Sequence, residues 1–223
     1  MVLGDASAPC SLSQRQRESG QGAQLQGEAS MTETCQSKGV RYRFLLSTFV
    51  CYVPLASGLC LWAWRDAACP EAAKPALIAL GTLVWTLIEY LLHRFLLHYR
   101  PQRPALLAVV ERLHLGHHRN PRDEAKITVP VSGSLPIAGA LLGLFRLMAG
   151  SWEVAALLMT GSIAGYLCYE TVHFWIHCGA HRGRWLRQQR AHHFFHHFEN
   201  QTRCFGVTTR LWDLVWGTGR VRP

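Results

Sequence analysis

The chain has 223 residues, which suit one domain or a small two-part protein, and 49% of them are hydrophobic while only 17% are charged. A soluble domain carries roughly 25% charged residues, so this composition argues against a soluble protein. The formal net charge of +9 would suit either nucleic acid or an anionic membrane surface, and long apolar runs favour the membrane.

The first forty residues differ from the rest of the chain. Residues 1–40 are rich in Gln, Ser and Gly, and they lack the apolar core of a signal peptide. We therefore expect a disordered tail over 1–40, followed by a membrane-embedded domain over 41–223.

Four apolar runs follow the tail. Residues 44–64 form 21 positions without a charge, enough for a helix to cross a hydrocarbon core of ~30 Å. Residues 75–98 are apolar at first and then carry charges and histidines near one end. The runs at 131–149 and 152–172 are weaker, because the first contains an arginine and several glycines. The pattern predicts an all-α membrane protein with about four transmembrane helices; the alternative is a soluble bundle of unusually apolar helices.

Lysines and arginines give the predicted spans an orientation. They concentrate before the first run, between the second and third runs, and after the fourth, whereas the alternate loops have few. The positive-inside rule therefore places both chain ends and the 99–130 segment in the cytoplasm. The membrane would be the endoplasmic reticulum in a eukaryotic host or the inner membrane in a bacterial one. This orientation explains the net charge without any nucleic acid.

All twelve histidines lie between positions 93 and 197, and each cluster falls at or just beyond the predicted cytoplasmic end of a span. Positions i, i+3 and i+4 share one face of an α-helix. Three sets of this kind could each converge on a metal ion, as pairs one turn apart do in helical zinc sites: His114, His117 and His118; His193, His196 and His197; His173 and His177.

The "HRFLLH" segment does not fit this spacing. Its two histidines, His93 and His98, lie about 140° apart on a regular helix. They could share a metal only if the helix bulges or ends between them. The nearby Pro101 and Pro104 favour an end.

The histidine clusters together supply ten candidate ligands. They are His93, His98, His114, His117, His118, His173, His177, His193, His196 and His197. One metal takes four to six donors, so ten imidazoles suit two metals with about five each. The other two are interpreted differently: His181 as an interfacial or solvated residue, and His192 as no ligand.

Carboxylates near the clusters are too few to be the main ligands. They are Glu89, Glu111, Asp123, Glu170, Glu199 and Asp213. We expect them to hold imidazole N–H groups so that the other ring nitrogen faces the metal. Glu89, one helical turn before His93, is the best single candidate for this role.

The spacings H-x4-H, H-x2-H-H, H-x3-H and H-x2-H-H, in this order, resemble the fatty acid hydroxylase superfamily, and most closely its fatty acid (sphingolipid) 2-hydroxylases. The segments "HHRNPRDEAKITVP", "GYLCYETVHFWIH" and "FGVTTRLWDLVWGT" extend the resemblance over roughly 85–218. Two positions depart from the family pattern: Glu170 replaces the usual Asp, and Lys126 stands where Arg is common.

The resemblance implies a four-helix membrane enzyme whose cytosolic helical cap holds a dimetal centre, with the ten histidines named above as ligands. Such enzymes insert one oxygen atom of O2 into an acyl or sterol C–H bond. Iron is the expected metal, although histidine-rich sites also accept zinc, which has no redox chemistry. The electrons would come from a separate cytochrome b5 or ferredoxin-type donor, because residues 1–40 contain no histidine that could bind haem.

The predicted function is therefore O2-dependent hydroxylation of the acyl chain of a fatty acid or sphingolipid, at C2. We expect the acyl chain to lie among the apolar spans and an aromatic set consisting of Phe194, Phe195, Phe198, Trp175 and Trp185. Alternatives are a sterol, carotenoid or other lipid oxidase or desaturase, a histidine-rich metal transporter, and an inactive scaffold. A transporter predicts ligands spread across the bilayer, so the clustering of the histidines at span ends argues against it.

Overall fold

The computed structural model of the protein describes residues 42–121, 123–179 and 183–220. The tail predicted over 1–40 lies outside these described residues. Within the described ranges the chain forms helices and no strands, which confirms the predicted all-α class.

Four long helices form the main bundle: α1 (Arg43–Asp66), α2 (Ala73–Leu91), α6 (Val131–Ala149) and α7 (Trp152–Cys178). They follow the four apolar runs in order. Helix α7 is the centre of the bundle and packs against the other three long helices. Of its 27 residues 17 are buried, so the other elements cover most of its surface.

Short helices join and cap the bundle. A π-helix, Leu92–Leu97, continues α2 without a break. The link from there to α6 contains α3 (Pro104–Val110), a second π-helix (Glu111–Leu115), α4 (Gly116–Arg119) and α5 (Glu124–Ile127). After α7 come α8 (Arg184–Phe198) and α9 (Leu211–Val215).

Three segments of the described chain are long and apolar enough to cross a membrane: Arg43–Asp66, Ala73–Leu97 and Glu124–Ala149. Large apolar side chains such as Leu61, Leu83 and Leu147 are exposed on them, as lipid contact requires. The fourth predicted run lies within α7, which the other helices enclose. A total of four spans stays a prediction.

Helices α2 and α7 approach each other closely at two glycines. A Cβ atom added to Gly161 would lie 1.9 Å from the backbone oxygen of Ile78, and Gly81 lies at the same contact. Hydroxyl groups bond across it, since Thr82 Oγ1 donates to the Gly161 carbonyl and Ser162 Oγ donates to the Gly81 carbonyl, each at 3.0 Å. Small residues of this kind let membrane helices pack backbone against backbone. The contact aligns two helices whose ends carry clustered histidines.

Candidate metal centre

The ten candidate ligands come together as two groups of five. Within each group, one ring nitrogen from every histidine lies within 4.8 Å of the others. The first histidine group consists of His93, His98, His114, His118 and His196. The second histidine group consists of His117, His173, His177, His193 and His197.

The π-helix Leu92–Leu97 explains how His93 and His98 reach the same group. A π-helix bonds residue i to i+5, so its wider turn brings positions five apart onto one face. Both alternatives are present, because the helix widens from Leu92 and its last helical residue is Leu97, with His98 as the C-cap residue. A second π-helix, Glu111–Leu115, carries His114 and leads into the helical turn that carries His117 and His118.

The two sets with i, i+3, i+4 spacing are each divided between the groups. Of the set at 114–118, His117 alone belongs to the second group, and of the set at 193–197, His196 alone belongs to the first. Neither set therefore converges on a single group, although its spacing alone would have allowed this. A face of a helix is wide enough for adjacent histidines to point toward two neighbouring sites.

The two groups lie side by side. The rings of His118 and His197, one from each group, stack with their centroids 4.1 Å apart and their planes at 13°. The centroids of the His93 and His193 rings, again one from each group, are 6.3 Å apart. Ions held by both groups would form one centre.

The contacts of His193 Nε2 fit a bound cation better than hydrogen bonds. This atom lies 3.1 Å from Nε2 of His173, 3.1 Å from Nε2 of His177 and 3.0 Å from Nε2 of His197. A neutral ring nitrogen offers either one N–H or one lone pair, so three such contacts cannot all be hydrogen bonds. Two nitrogens at right angles on one ion would be roughly 3.0 Å apart, against roughly 3.4 Å in a tetrahedral site. The distances from His193 Nε2 to the other three nitrogens therefore fit an ion with five or six ligands.

The imidazoles beyond the membrane spans are held neutral. Burial, reinforced by neighbouring imidazoles, keeps the pKa of His114 and of His117 well below the usual range. Burial, followed by the nearby Arg100, lowers the pKa of His98 to about 4, and burial followed by neighbouring rings lowers that of His118 to about 2. A neutral imidazole is the form that binds a metal, so these groups are ready to act as ligands.

Two backbone carbonyls orient rings of the first group. His93 Nδ1 donates to the Phe205 carbonyl at 2.5 Å, and His196 Nδ1 donates to the Arg203 carbonyl at 2.7 Å. A bond at Nδ1 leaves Nε2 as the ligand atom and fixes the angle of the ring. Backbone carbonyls therefore orient these two imidazole rings, whereas carboxylates were expected to do so.

Glu89 does not hold an imidazole, so the role predicted for it was wrong. Its Oε1 accepts from the backbone N–H groups of Val207 at 2.7 Å and Thr208 at 2.9 Å, and its Oε2 accepts from the Thr208 hydroxyl. Glu89 therefore holds the segment that follows Phe205.

Four of the other predicted carboxylates bind outside the two groups: Glu111 with Arg119, Asp123 with Lys126, Glu170 with the Val129 amide, and Glu199 with Arg220. The sixth, Asp213, meets an imidazole at 3.0 Å, but it is that of His192, which lies outside both groups. His181 lies outside the described residues. Sequence reasoning missed the bond between His192 and Asp213, and the "WD" of "FGVTTRLWDLVWGT" was the only available signal.

An apolar cavity lies inside the bundle, and several residues next to the histidines line one part of it. Leu97, Val129 and Tyr169 line it near the histidines, and Met159 and Ile163 line it farther in. The Tyr169 ring also stacks on that of His173, a second-group ligand candidate, with centroids 5.6 Å apart.

The predicted aromatic set does not line this cavity. Trp175, Trp185 and Phe198 are about half exposed, at 49%, 52% and 48%, while Phe194 is fully buried against His177. The cavity walls come mainly from the four long helices, with contributions from the π-helix Leu92–Leu97 and from Val129. The aromatic residues of α8 were therefore a poor guide to which side chains line the cavity.

Comparisons with known proteins agree with this arrangement. The family model described as "Fatty acid hydroxylase" matches residues 78–218, which include all ten candidate ligands. The chain is 36% identical over 152 residues to fatty acid 2-hydroxylase of Rattus norvegicus. It is 32% identical over 169 residues to dihydroceramide fatty acyl 2-hydroxylase FAH2 of Arabidopsis thaliana.

These matches cover different shares of the relatives. The rat match covers 67% of this chain and 41% of the rat protein, and the plant match covers 76% of this chain and 68% of the plant protein. A solved structure described as full-length scs7p, with only the hydroxylase domain visible, matches with a TM-score of 0.72 and 28% identity. That match covers 79% of this chain and 67% of the solved one.

Proposed function

The chain belongs to the fatty acid hydroxylase family, and from this premise we propose that it hydroxylates the acyl chain of a fatty acid or sphingolipid at C2, using O2 and a separate electron donor. The observation that carries the proposal is the pair of five-histidine groups beside an apolar cavity, whose lining residue Tyr169 stacks on His173. The names of its relatives, fatty acid 2-hydroxylase and dihydroceramide fatty acyl 2-hydroxylase, support the position and the substrate class.

The ten histidines are proposed to hold two metal ions, one in each group. Their neutral rings and the contacts of about 3 Å among the Nε2 atoms support this role. Iron is proposed as the metal, because bound iron supplies the redox chemistry that activates O2 and bound zinc does not.

The acyl chain is proposed to lie with its tail in the cavity and its carbonyl end beside the histidines. Met159 lies 14 positions before His173 on α7, which corresponds to roughly 21 Å of helix. An acyl tail that occupies this length of the cavity would place a carbon near the carbonyl group, such as C2, beside the two metal ions. The apolar walls would also keep water away from the reacting carbon.

The histidine end of the bundle is proposed to face the cytosol, with 41–223 as the catalytic domain and 1–40 as a disordered tail. Arg100, Arg103 and Arg112 are exposed near this end, and they could bind an anionic lipid headgroup or an acidic donor. The donor is proposed to be a separate cytochrome b5 or ferredoxin-type protein. The membrane is that of the endoplasmic reticulum in a eukaryotic host and the inner membrane in a bacterial one.

The test is lipid profiling of cells that make no 2-hydroxylated lipids of their own, expressing this chain with isotope-labelled O2. We expect acyl chains hydroxylated at C2 that carry one labelled oxygen atom, and no such product from His117→Ala or His196→Ala. An oxidised sterol or carotenoid would support another lipid oxidase, and metal uptake without an oxidised lipid would support a transporter. A folded wild-type protein without metal would refute the dimetal site and leave a scaffold.

Filling the cavity is expected to change the length of acyl chain that is accepted. Ala138 lines the cavity on α6, so Ala138→Phe should lower hydroxylation of the longest chains at least about tenfold relative to shorter ones. Ala140 lies on the same helix but is exposed, so Ala140→Phe is the matched control and should keep the chain-length profile. Profiles that do not differ between the two variants would argue against the cavity as the acyl site.

A further inference from the structure

Two buried carboxylates hold four consecutive backbone N–H groups of the Arg203–Thr208 loop. Asp213 Oδ1 accepts from the Phe205 N–H at 2.9 Å, and Asp213 Oδ2 accepts from the Gly206 N–H at 2.8 Å. The next two N–H groups are those bound by Glu89. The backbone amides of a connecting loop at the protein surface usually bond to water. The four amides of this loop bond to buried carboxylates instead, which hold its backbone in place.

The Phe205–Gly206 peptide links Asp213 to a candidate ligand. A peptide unit is planar and trans, so its N–H and its C=O point in opposite directions. In this peptide the N–H faces Asp213 and the C=O faces His93 Nδ1, at 2.8 Å and 2.5 Å. Holding one end of the peptide therefore aims the other end. A carboxylate on the N–H also polarises the peptide and strengthens the carbonyl as an acceptor.

The Arg203–Cys204 peptide, two peptide units earlier, is also held at both ends. The Cys204 N–H donates to the Thr218 carbonyl at 2.8 Å, while the Arg203 carbonyl of that peptide accepts from His196 Nδ1. Cys204 has a φ of 60° and is the only non-glycine with a positive φ in the described part of the chain. This conformation costs about 1–2 kcal/mol in a non-glycine residue, and it lets two nearby carbonyls turn toward the same histidine group.

The second histidine group has no comparable support from this loop. The Nδ1 atoms of His117, His193 and His197 are buried and make no hydrogen bond in the described structure. The outer support of the two groups is therefore unequal. The loop orients two rings, and both belong to the first group.

Asp213 has four donors around its carboxylate. Besides the two amides, the Thr218 hydroxyl donates to Oδ1 at 2.8 Å, and His192 Nε2 lies 3.0 Å from Oδ2. Burial opposes ionisation, but the bonds from His192, Gly206 and Thr218 outweigh it and bring the pKa of Asp213 below its usual value. The carboxylate thus stays charged and attaches the loop to α8 through His192.

We propose that Asp213 is a positioning residue for the first histidine group alone, acting on His93 through the Phe205–Gly206 peptide. This inference rests on the proposed function, since it assumes that each group holds a metal ion. Asp213 belongs to neither histidine group. It sets the ring angle and the basicity of a ligand, and changes in such outer partners typically cost 10–100-fold in metal affinity.

The test compares Asp213→Asn with Glu89→Gln, two substitutions of the same chemical kind. Each oxygen of Asp213 binds one amide, so an asparagine places its NH2 group against a backbone N–H in either orientation. Glu89 binds both of its amides through Oε1, so a glutamine can keep both and turn its NH2 toward the Thr208 hydroxyl, which can accept. We expect Asp213→Asn to bind one metal per chain about 10–100-fold more weakly in a chelator titration, and Glu89→Gln to titrate like the wild type.

Combination with ligand variants identifies the metal that is weakened. His98→Ala removes a first-group ligand, so its combination with Asp213→Asn should still hold one metal ion, the one in the second group. His197→Ala removes a second-group ligand, so in its combination with Asp213→Asn the one remaining metal should be the weakly bound one. The inference is overturned if Asp213→Asn keeps both metals at wild-type affinity, or if it weakens the second group. A folded wild type that binds no metal overturns the proposed function and this inference together.

Thr218→Val serves if Asp213→Asn cannot be obtained folded. It removes the hydroxyl that donates to Asp213 Oδ1 but adds no donor against an amide. We expect faster release of the first-group metal to the chelator and unchanged release of the other. Equal release rates in Thr218→Val and the wild type would overturn the inference.

Discussion

Alanine at His196 and alanine at His197 are each expected to remove one metal ion per chain, but a different one, and to lower the proposed hydroxylation more than about 100-fold. The two residues are neighbours on α8. His196 Nε2 lies 2.9 Å from His98 Nε2 in the first group, whereas His197 Nε2 lies 3.0 Å from His193 Nε2 in the second. Elemental analysis of detergent-purified protein measures the metal, and product analysis measures the activity.

The double variant separates two sites from one. If the neighbours serve different groups, His196→Ala combined with His197→Ala should retain almost no metal, while each single variant retains about one ion. A double variant with the same metal content as either single variant would mean that both residues bind the same ion. His181→Ala, a histidine outside the ten candidate ligands, is the control and should keep both metals.

Alanine at Gly161 is expected to destabilise the whole bundle. Its methyl group would lie 1.9 Å from a backbone oxygen of α2, and backbone cannot move aside as the end of a side chain can. Helices α2 and α7 must separate, and such overpacking costs about 1–3 kcal/mol of unfolding free energy. We also expect weaker metal binding, since His93 follows α2 directly and His173 lies on α7. Thermal unfolding in detergent measures the first effect and metal content the second.

Gly139→Ala is the matched control for this substitution. An added Cβ at Gly139, on α6, would meet nothing within 4 Å, so the variant should unfold at the wild-type temperature or slightly above it. Gly161→Ala and Gly139→Ala with equal stability would show that the contact between α2 and α7 is not the constraint described above.

The helices and the family were predictable because the signals are local. A helix that contacts lipid must be apolar over its whole length, so the runs at 44–64 and 75–98 mark α1 and α2 without any knowledge of their neighbours. The order and spacing of the histidine clusters resemble the fatty acid hydroxylase family, and the family match over 78–218 confirms this. The choice of ten histidines as ligands stays a prediction until metal is measured.

The bulge between His93 and His98 shows a limit of local reasoning. Their i, i+5 spacing allowed either a bulge or an end of the helix, and Pro101 suggested the end. The structure has both features, since the π-helix keeps every residue from Leu92 to Leu97 helical and the helix ends before His98. A proline four positions farther on is compatible with both outcomes, so it could not distinguish them.

The chain's own pattern therefore establishes which elements form and which residue types carry the chemistry, since hydropathy, helical period and histidine spacing act within a few turns. Three-dimensional packing establishes how the histidines divide: His98 and His196 are 98 positions apart yet have ring nitrogens 2.9 Å apart. Packing also places Glu89 and Asp213 against the Arg203–Thr208 loop. It brings side chains from all four long helices together around the cavity. Contacts of this kind depend on the distances and angles between whole helices, which no spacing along one helix encodes.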